Sequence, residues 1–292
     1  MLYPDISNIT IDNIQLPELE NKNILLDVLR LDKIHPVISG NKWFKLKYHL
    51  ENFHRGNFKG IVTFGGAWSN HIIATAYVCQ LHKIGSVGII RGEEPGLLSK
   101  TLADAKNYTM ELEFVSREEY RKKDSLEFLN KLKEKYSGYY IIPEGGAGAE
   151  GEKGVEEILD IIPKNKYTHI VCAIGTGTMF KGLSNAAKRP IKMIGVPVLK
   201  GWKEEVQIDN GEFIPDYHFG GYAKYNPILI DFMNYFYSHT KIPTDIVYTA
   251  KLAYGIIDLV KKNYFMEGSK ILMIHSGGSQ GNNSLEKGSL IF

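Results

Sequence analysis

This 292-residue chain is predicted to be an α/β protein with open, twisted, mostly parallel sheets, on two features of its sequence. Short β-rich runs alternate with longer helical patterns along its whole length, and several of those runs are continuously apolar. A continuous apolar run suits a strand covered on both faces, and regular alternation with helices suits right-handed crossovers between parallel strands. The strand segments are 60–64, 86–90, 111–115, 139–142, 168–174, 191–197 and 270–275. The helical segments are 70–82, 98–107, 117–135, 155–162, 179–188, 227–239 and 250–262. Four strand–helix units between Lys45 and Gly151 predict a small domain over residues 45–151. Residues 1–44 and 152–292 are expected to form a larger domain, its sheet drawn from both ends of the chain. Ligands of such sheets collect at the carboxyl ends of the strands, and the glycine-rich loops of this chain fall there or at helix entries.

Bulk composition narrows the function classes. The chain is 43% hydrophobic and 23% charged, with a net charge of +2. That balance gives no reason to expect nucleic acid or a membrane surface as partner. The basic run Arg121-Lys122-Lys123 stands beside Glu118, Glu119 and Asp124 and reads as a solvated helix face. Cys79 sits in an apolar helical run and Cys172 in an apolar strand run, so both are expected as buried thiols with no disulfide framework. The opening residues 1–23 are neither basic nor continuously apolar, so no signal peptide is expected. No apolar run approaches the roughly 20 residues of a membrane span. A reducing cytoplasm is the expected setting, and no metal site is expected.

Ser39-Gly40-Asn41-Lys42-Trp43-Phe44-Lys45 places a lysine just after a tight turn, at the entrance of a helix. A lysine amine held in a polar pocket is the group that forms an imine with an aldehyde cofactor. Three glycine-rich turns supply what else such a cofactor needs. In Gly65-Gly66-Ala67-Trp68-Ser69-Asn70-His71, a strand ends in two glycines and a helix begins. Ser69 and Asn70 read either as plain caps or, with the free amides of the first turn, as a carboxylate site. Gly175-Thr176-Gly177-Thr178 follows a strand and opens a helix, the geometry of a phosphate turn. It matches neither the dinucleotide fingerprint nor a Walker loop, so a single phosphate monoester suits it. His275-Ser276-Gly277-Gly278-Ser279 follows the last strand, either as a terminal turn or as a pocket border. Pro143-Glu144-Gly145-Gly146 reads as a domain hinge as readily as a site.

Together these loops resemble the fold-type II pyridoxal-phosphate enzymes, in the branch of 1-aminocyclopropane-1-carboxylate deaminase and D-cysteine desulfhydrase. The resemblance runs from Leu29-Arg30-Leu31-Asp32 to the final glycine turn. It implies a two-domain, tryptophan synthase β-like fold with the cofactor in the interdomain cleft, and a homodimer. Ser39-Gly40-Asn41-Lys42 is similar to the branch's G-G-N-K motif with serine for the first glycine. The implied cofactor lysine is therefore Lys42, with Lys45 helping to hold the phosphate. By the same resemblance Ser69, with Asn70 and His71, takes the substrate carboxylate, and Asn70 faces the ring hydroxyl of the cofactor. Thr176, Gly177 and Thr178 carry the phosphate amides. Tyr222 falls where the family has an active-site tyrosine, although Tyr225 stands in place of that segment's usual proline. Val247-Tyr248-Thr249-Ala250-Lys251 resembles V-Y-[ET]-x-K, implying Tyr248 as a second tyrosine and Thr249 as the group beside the pyridine nitrogen. Ser276 borders the cofactor.

Thr249 and Ser276 stand where the deaminase pattern has glutamate and leucine, and both point toward the desulfhydrase type. A hydroxyl in place of a carboxylate at the ring nitrogen makes a weaker electron sink. Such a sink suits elimination, because the charge leaves promptly with a β-thiolate. The expected activity is α,β-elimination of a small amino acid, foremost D-cysteine, to pyruvate, sulfide and ammonia. The alternative within the branch is ring opening of 1-aminocyclopropane-1-carboxylate, and the alternative without the cofactor is a phosphate-ligand-binding α/β protein.

Overall fold

The structure, a computed structural model, describes residues 4–163, 165–187, 190–202 and 210–292. Ten strands run among them. They are β1 (Ile11–Ile14), β2 (Leu25–Arg30), β3 (Gly60–Gly65), β4 (Gly85–Arg91), β5 (Glu111–Val115), β6 (Tyr139–Ile142), β7 (His169–Ile174), β8 (Lys192–Pro197), β9 (Gly211–Phe213) and β10 (Lys270–His275). One sheet has the order β1-β2-β10-β7-β8-β9 and the other β5-β4-β3-β6. All pairings are parallel except the antiparallel edge pair β1–β2. The chain thus has the expected α/β architecture, and the six-stranded sheet draws on both ends of the sequence.

Every predicted strand is present to within one residue at either end. In β3 all residues are buried, and in β7, β8 and β10 all but the first. Helices cover both faces of these strands, which is why they read as unbroken apolar runs. Three strands were not predicted. β2 carries Asp27 and Arg30, which break its apolar run, yet both are buried and paired. Asp27 accepts from Lys166 at 2.6 Å and Tyr167 at 2.7 Å, and Arg30 pairs with Asp12 and Asp32 at 2.9 and 2.6 Å. β1 and β9 are short edge strands.

Two helical expectations need correction. The segment 117–135 is two helices, Arg117–Arg121 and Leu126–Lys135, the second capped by Ser125, which accepts from Phe128 N. The intervening turn carries Lys123 back against the body, where it pairs with Asp124 at 2.7 Å and Glu144 at 3.4 Å. The basic run is therefore not wholly a solvated face. The helix expected at 155–162 is Ala149–Glu156 followed by a 3-10 turn, Glu157–Ile161. Its glycines concealed its start. A Cβ on Gly154 would overlap the Phe44 carbonyl and one on Gly151 the Gly146 carbonyl, so these positions let three backbones meet. The end of the predicted segment 179–188 lies outside the described residues; the helix itself runs Thr178–Ala186.

A single apolar cluster joins the two sheets, from Ile61 and Ala74 on one side through Phe44 and Leu46 to Ile170 and Cys172 on the other. Cys79 and Cys172 are free and buried, and burial pushes both thiols up to about 12. No described helix is long and apolar enough to cross a membrane.

Candidate active site

A cavity of about 170 Å³ lies where the carboxyl ends of β3, β4, β6 and β7 converge. Lys42, Lys45, Ser69, Asn70, His71, Thr176, Gly177, Tyr222, Tyr248 and Ser276 all line it. Thr178 and Thr249 do not line it. Both are buried, Thr178 with its hydroxyl 3.1 Å from that of Thr176.

Lys42 enters through a turn that only glycine can make. Gly40 has φ of +68°, and a Cβ there would overlap the Ser276 carbonyl. That carbonyl instead accepts from Asn41 N at 3.0 Å. Ser39 earns its place beside the same contact, its hydroxyl donating to the Asp32 carbonyl and accepting from Gly278 N. The Lys42 amine donates to Asn41 Oδ1 at 2.8 Å and otherwise opens into the cavity. Desolvation lowers it from the usual 10.5 to about 8, against the nearby Asp245 charge, which raises it. Lys45 is buried one helical turn on, and desolvation and the Lys42 charge hold its amine well below the ordinary lysine value. No carboxylate among the described residues pairs with either amine.

Across the cavity, Ser69 caps the helix Asn70–Leu81, its hydroxyl accepting from Ile72 N at 3.3 Å. Its own proton remains available. Asn70 Oδ1 is buried without a partner among the described residues. His71 Nδ1 is in the same condition. Thr63 donates to the Ile142 carbonyl at 2.9 Å, so it accepts from His71 Nε2 at 2.7 Å. That fixes the proton on Nε2 and leaves Nδ1 a bare acceptor. Burial and the charges of Lys42, His49 and Lys45 keep this imidazole neutral.

On the third side, Gly177 (φ of +85°) opens the helix Thr178–Ala186. The amides of its first turn have no intrahelical acceptor, and a Cβ on Gly177 would meet nothing within 4 Å. The half-buried amine of Lys42 and the buried amine of Lys45, neither with a carboxylate partner among the described residues, share the cavity with a free helix N-terminus and form a cradle for an anion; the lowered Lys42 amine is the candidate nucleophile. A phosphorylated aldehyde fits this donor set.

Both tyrosines stay protonated. Burial raises Tyr222 to about 12 and, with the neighbouring Tyr222 ring, lifts Tyr248 well above its ordinary value. Lys251, fully buried, donates to the carbonyls of Gly221 at 2.6 Å and His218 at 2.9 Å and so ties down the loop bearing Tyr222. Thr249 donates its proton to Asp245 Oδ1 at 2.7 Å and accepts from Asp245 N at 2.7 Å. Its hydroxyl proton is thus committed to Asp245. Asp245 also accepts from the amides of Val247, Tyr248 and Thr249.

One charged residue of the wall, Arg91, was not anticipated. Glu144, from the segment that reads as a hinge as readily as a site, lines the cavity and accepts from Tyr120 OH at 2.8 Å. Arg91 ends β4. Both stand at the carboxyl end of a strand, which is the signal that would have found Arg91.

The donor set of this cavity, two lysine amines and a helix N-terminus, is that of a protein able to take a small phosphorylated aldehyde. A family described as pyridoxal-phosphate dependent enzymes matches residues 13–277, and the chain belongs to that family. It is 31% identical to a Thermotoga maritima protein named "Putative 1-aminocyclopropane-1-carboxylate deaminase", over 86% of this chain and 88% of that one. It is 30% identical to the bifunctional D-cysteine desulfhydrase/1-aminocyclopropane-1-carboxylate deaminase, mitochondrial, of Arabidopsis thaliana, over 91% of this chain and 75% of that one. A solved structure of an ACC deaminase homologue superposes with a TM-score of 0.79 at 25% identity, covering 96% of this chain and 94% of that one. The fold is fold-type II and the cofactor is pyridoxal phosphate; the phosphate-ligand alternative without it falls away.

Proposed function

We propose that the protein catalyses α,β-elimination of a small amino acid, foremost D-cysteine, which with one water gives pyruvate, hydrogen sulfide and ammonia. The observation that carries this reading is the desolvated Lys42 amine, lowered to about 8, in one cavity with Lys45 and Ser69. Bound pyridoxal phosphate supplies an electron sink for charge developing at the substrate α-carbon. Lys45 and the amides of Thr176, Gly177 and Thr178 hold its phosphate, Asn70 Oδ1 accepts from its ring hydroxyl, and Ser276 borders it. Lys42 would anchor its aldehyde, and the Lys42 amine would take the substrate α-proton at Nζ. The Ser69 hydroxyl donates to the substrate carboxylate, assisted by the free amides at Asn70 and His71. Tyr222 or Tyr248, each protonated, donates to the departing sulfur.

Elimination is favoured over ring opening by the groups behind the cavity. The one carboxylate in the described wall is Glu144, already bound by Tyr120 and Lys123, and Asp245 is taken up by three backbone amides and the Thr249 hydroxyl. No acid group therefore stands free to deepen the sink. Ring opening of 1-aminocyclopropane-1-carboxylate is the second reading, favoured by the names of both relatives above. Each sheet falls within one of the two expected domains, 45–151 and 1–44 with 152–292, which supports that division. The reading also takes the enzyme as a homodimer in a reducing cytoplasm, a setting that two free buried thiols support.

Borohydride trapping with peptide mapping should label Lys42, and Lys42→Ala should lose both the label and sulfide release by at least about a thousandfold. Separate incubation with D-cysteine, L-cysteine and 1-aminocyclopropane-1-carboxylate should give sulfide and pyruvate from D-cysteine. Production of 2-oxobutyrate alone would transfer the assignment to the deaminase.

A further inference from the structure

Arg91 takes no part in the scheme above. Its guanidinium carbon lies 5.5 Å from the centroid of the Tyr222 ring, and a Cβ on Gly66 would lie 3.8 Å from its Nη2. It therefore borders the cavity between the substrate loop and an active-site tyrosine, with an aromatic face attracting its charge. No carboxylate among the described residues forms an ion pair with it. Glu144, the carboxylate that shares this wall, is already bound by Tyr120 at 2.8 Å and Lys123 at 3.4 Å. The other cations of the cavity, Lys42 and Lys45, face the cofactor, and the α-carboxylate is met by Ser69. The Arg91 guanidinium, exposed to solvent at the end of β4 and bordering the cavity, is left free to meet an anionic group of a ligand.

Resting on the elimination reading, we propose that Arg91 is a specificity determinant selecting amino acids whose β-substituent ends in a second carboxylate. A guanidinium presents a planar fork of N–H donors that matches the two oxygens of a carboxylate. With such a substrate the Cβ–S bond breaks and its electron pair leaves on sulfur, while the α-proton passes to Lys42 Nζ. S-carboxymethylcysteine and one water would give thioglycolate, pyruvate and ammonium.

The test uses the holoenzyme and a matched pair, S-carboxymethylcysteine and its neutral isostere S-carbamoylmethylcysteine, each as both enantiomers. Wild type should prefer the acid by about tenfold to a hundredfold in kcat/KM, mostly through KM, the range of a hydrogen-bonded charge. In Arg91→Ala that ratio should fall to about one, and Arg91→Lys should restore part of it. An equal loss on acid and amide would mean that Arg91 serves the α-carboxylate and would overturn the proposal, as would no change in the ratio. An unaltered cofactor absorbance in each variant reports an intact site. Binding of aspartate and asparagine, followed by the same absorbance, separates this proposal from the function on which it rests. If no thioether or cysteine is turned over but aspartate binds more tightly in an Arg91-dependent way, elimination falls and the anion site stands. If cysteine is eliminated and aspartate shows no such advantage, the anion site falls alone.

Discussion

The two walls of the cavity are built differently. Behind the Tyr248 segment, on the side of the six-stranded sheet, Asp245 and Lys251 are committed to the protein itself. Asp245 accepts from three backbone amides and from Thr249, and Lys251 is held by two carbonyls. On the side of the four-stranded sheet, Asn70 Oδ1 and His71 Nδ1 are buried with no partner among the described residues. A buried acceptor left unmade costs free energy, so such atoms persist where a ligand completes them. The backing of the Tyr248 segment is a finished support, and the Asn70–His71 segment keeps hydrogen-bonding capacity open. Substitutions should therefore cost stability on the first wall and ligand affinity on the second.

The largest effect is expected at Asp245→Ala. It strands three amides and a hydroxyl and should destabilise the apoprotein by about 3–5 kcal/mol, read as a fall in Tm. A loss confined to activity, with Tm unmoved, would break the comparison. Next, Asn70→Ala should leave Tm within about 1 kcal/mol of wild type, because no protein bond is lost. Its cofactor affinity should nevertheless fall on the order of tenfold, followed by absorbance titration. Smaller again, Ser69→Ala should cost about 1 kcal/mol of stability through the lost cap. It should also raise KM more than it lowers kcat, since its role is to hold the carboxylate.

Much of this was legible in the sequence, and the failures have physical causes. Strands covered on both faces gave apolar runs, and the loops at their ends gave the glycine turns at Gly40, Gly177 and Gly277. Lys42, Ser69 and Thr176 lie in local motifs and could be read from neighbours in the chain. Arg91 belongs to no such motif, and Glu144 stands in a segment that reads as a hinge as readily as a site. Each is a single charged residue after an apolar strand, indistinguishable from a solvated strand end until β4 and β6 come together in one sheet. β2 was hidden because Asp27 and Arg30 are buried polar groups, and their partners lie far off in sequence at Lys166, Tyr167 and Asp12. Thr249 was found in sequence but its hydrogen was not. That proton goes to a buried carboxylate four residues earlier, a detail fixed by the tight turn before the helix Thr249–Lys261.

Lys42 stands between the two walls, and its titration sharpens the comparison. Its amine lies at about 8 because burial in the cavity desolvates it, while Asp245 moderates the shift. A neutral amine is required to capture an aldehyde. At a pKa of about 8, roughly one-tenth of the amine is neutral at pH 7 and roughly nine-tenths at pH 9. Capture of pyridoxal phosphate by the apoprotein should thus quicken by about tenfold over that range and then level off. An ordinary lysine would instead quicken by about a hundredfold, with no plateau below pH 10. The sign for stability follows from the same shift. Between about 8 and 10.5 the unfolded chain holds a proton that the folded one lacks, so the apoprotein gains stability as pH rises through that window. Lys42→Met should flatten that part of the profile, although the buried Lys251, also lowered to about 8, will keep a slope of the same sign. Stopped-flow capture rates that climb without a plateau would mean that the Lys42 amine is solvated, and the contrast between the walls would then not reach the reacting atom.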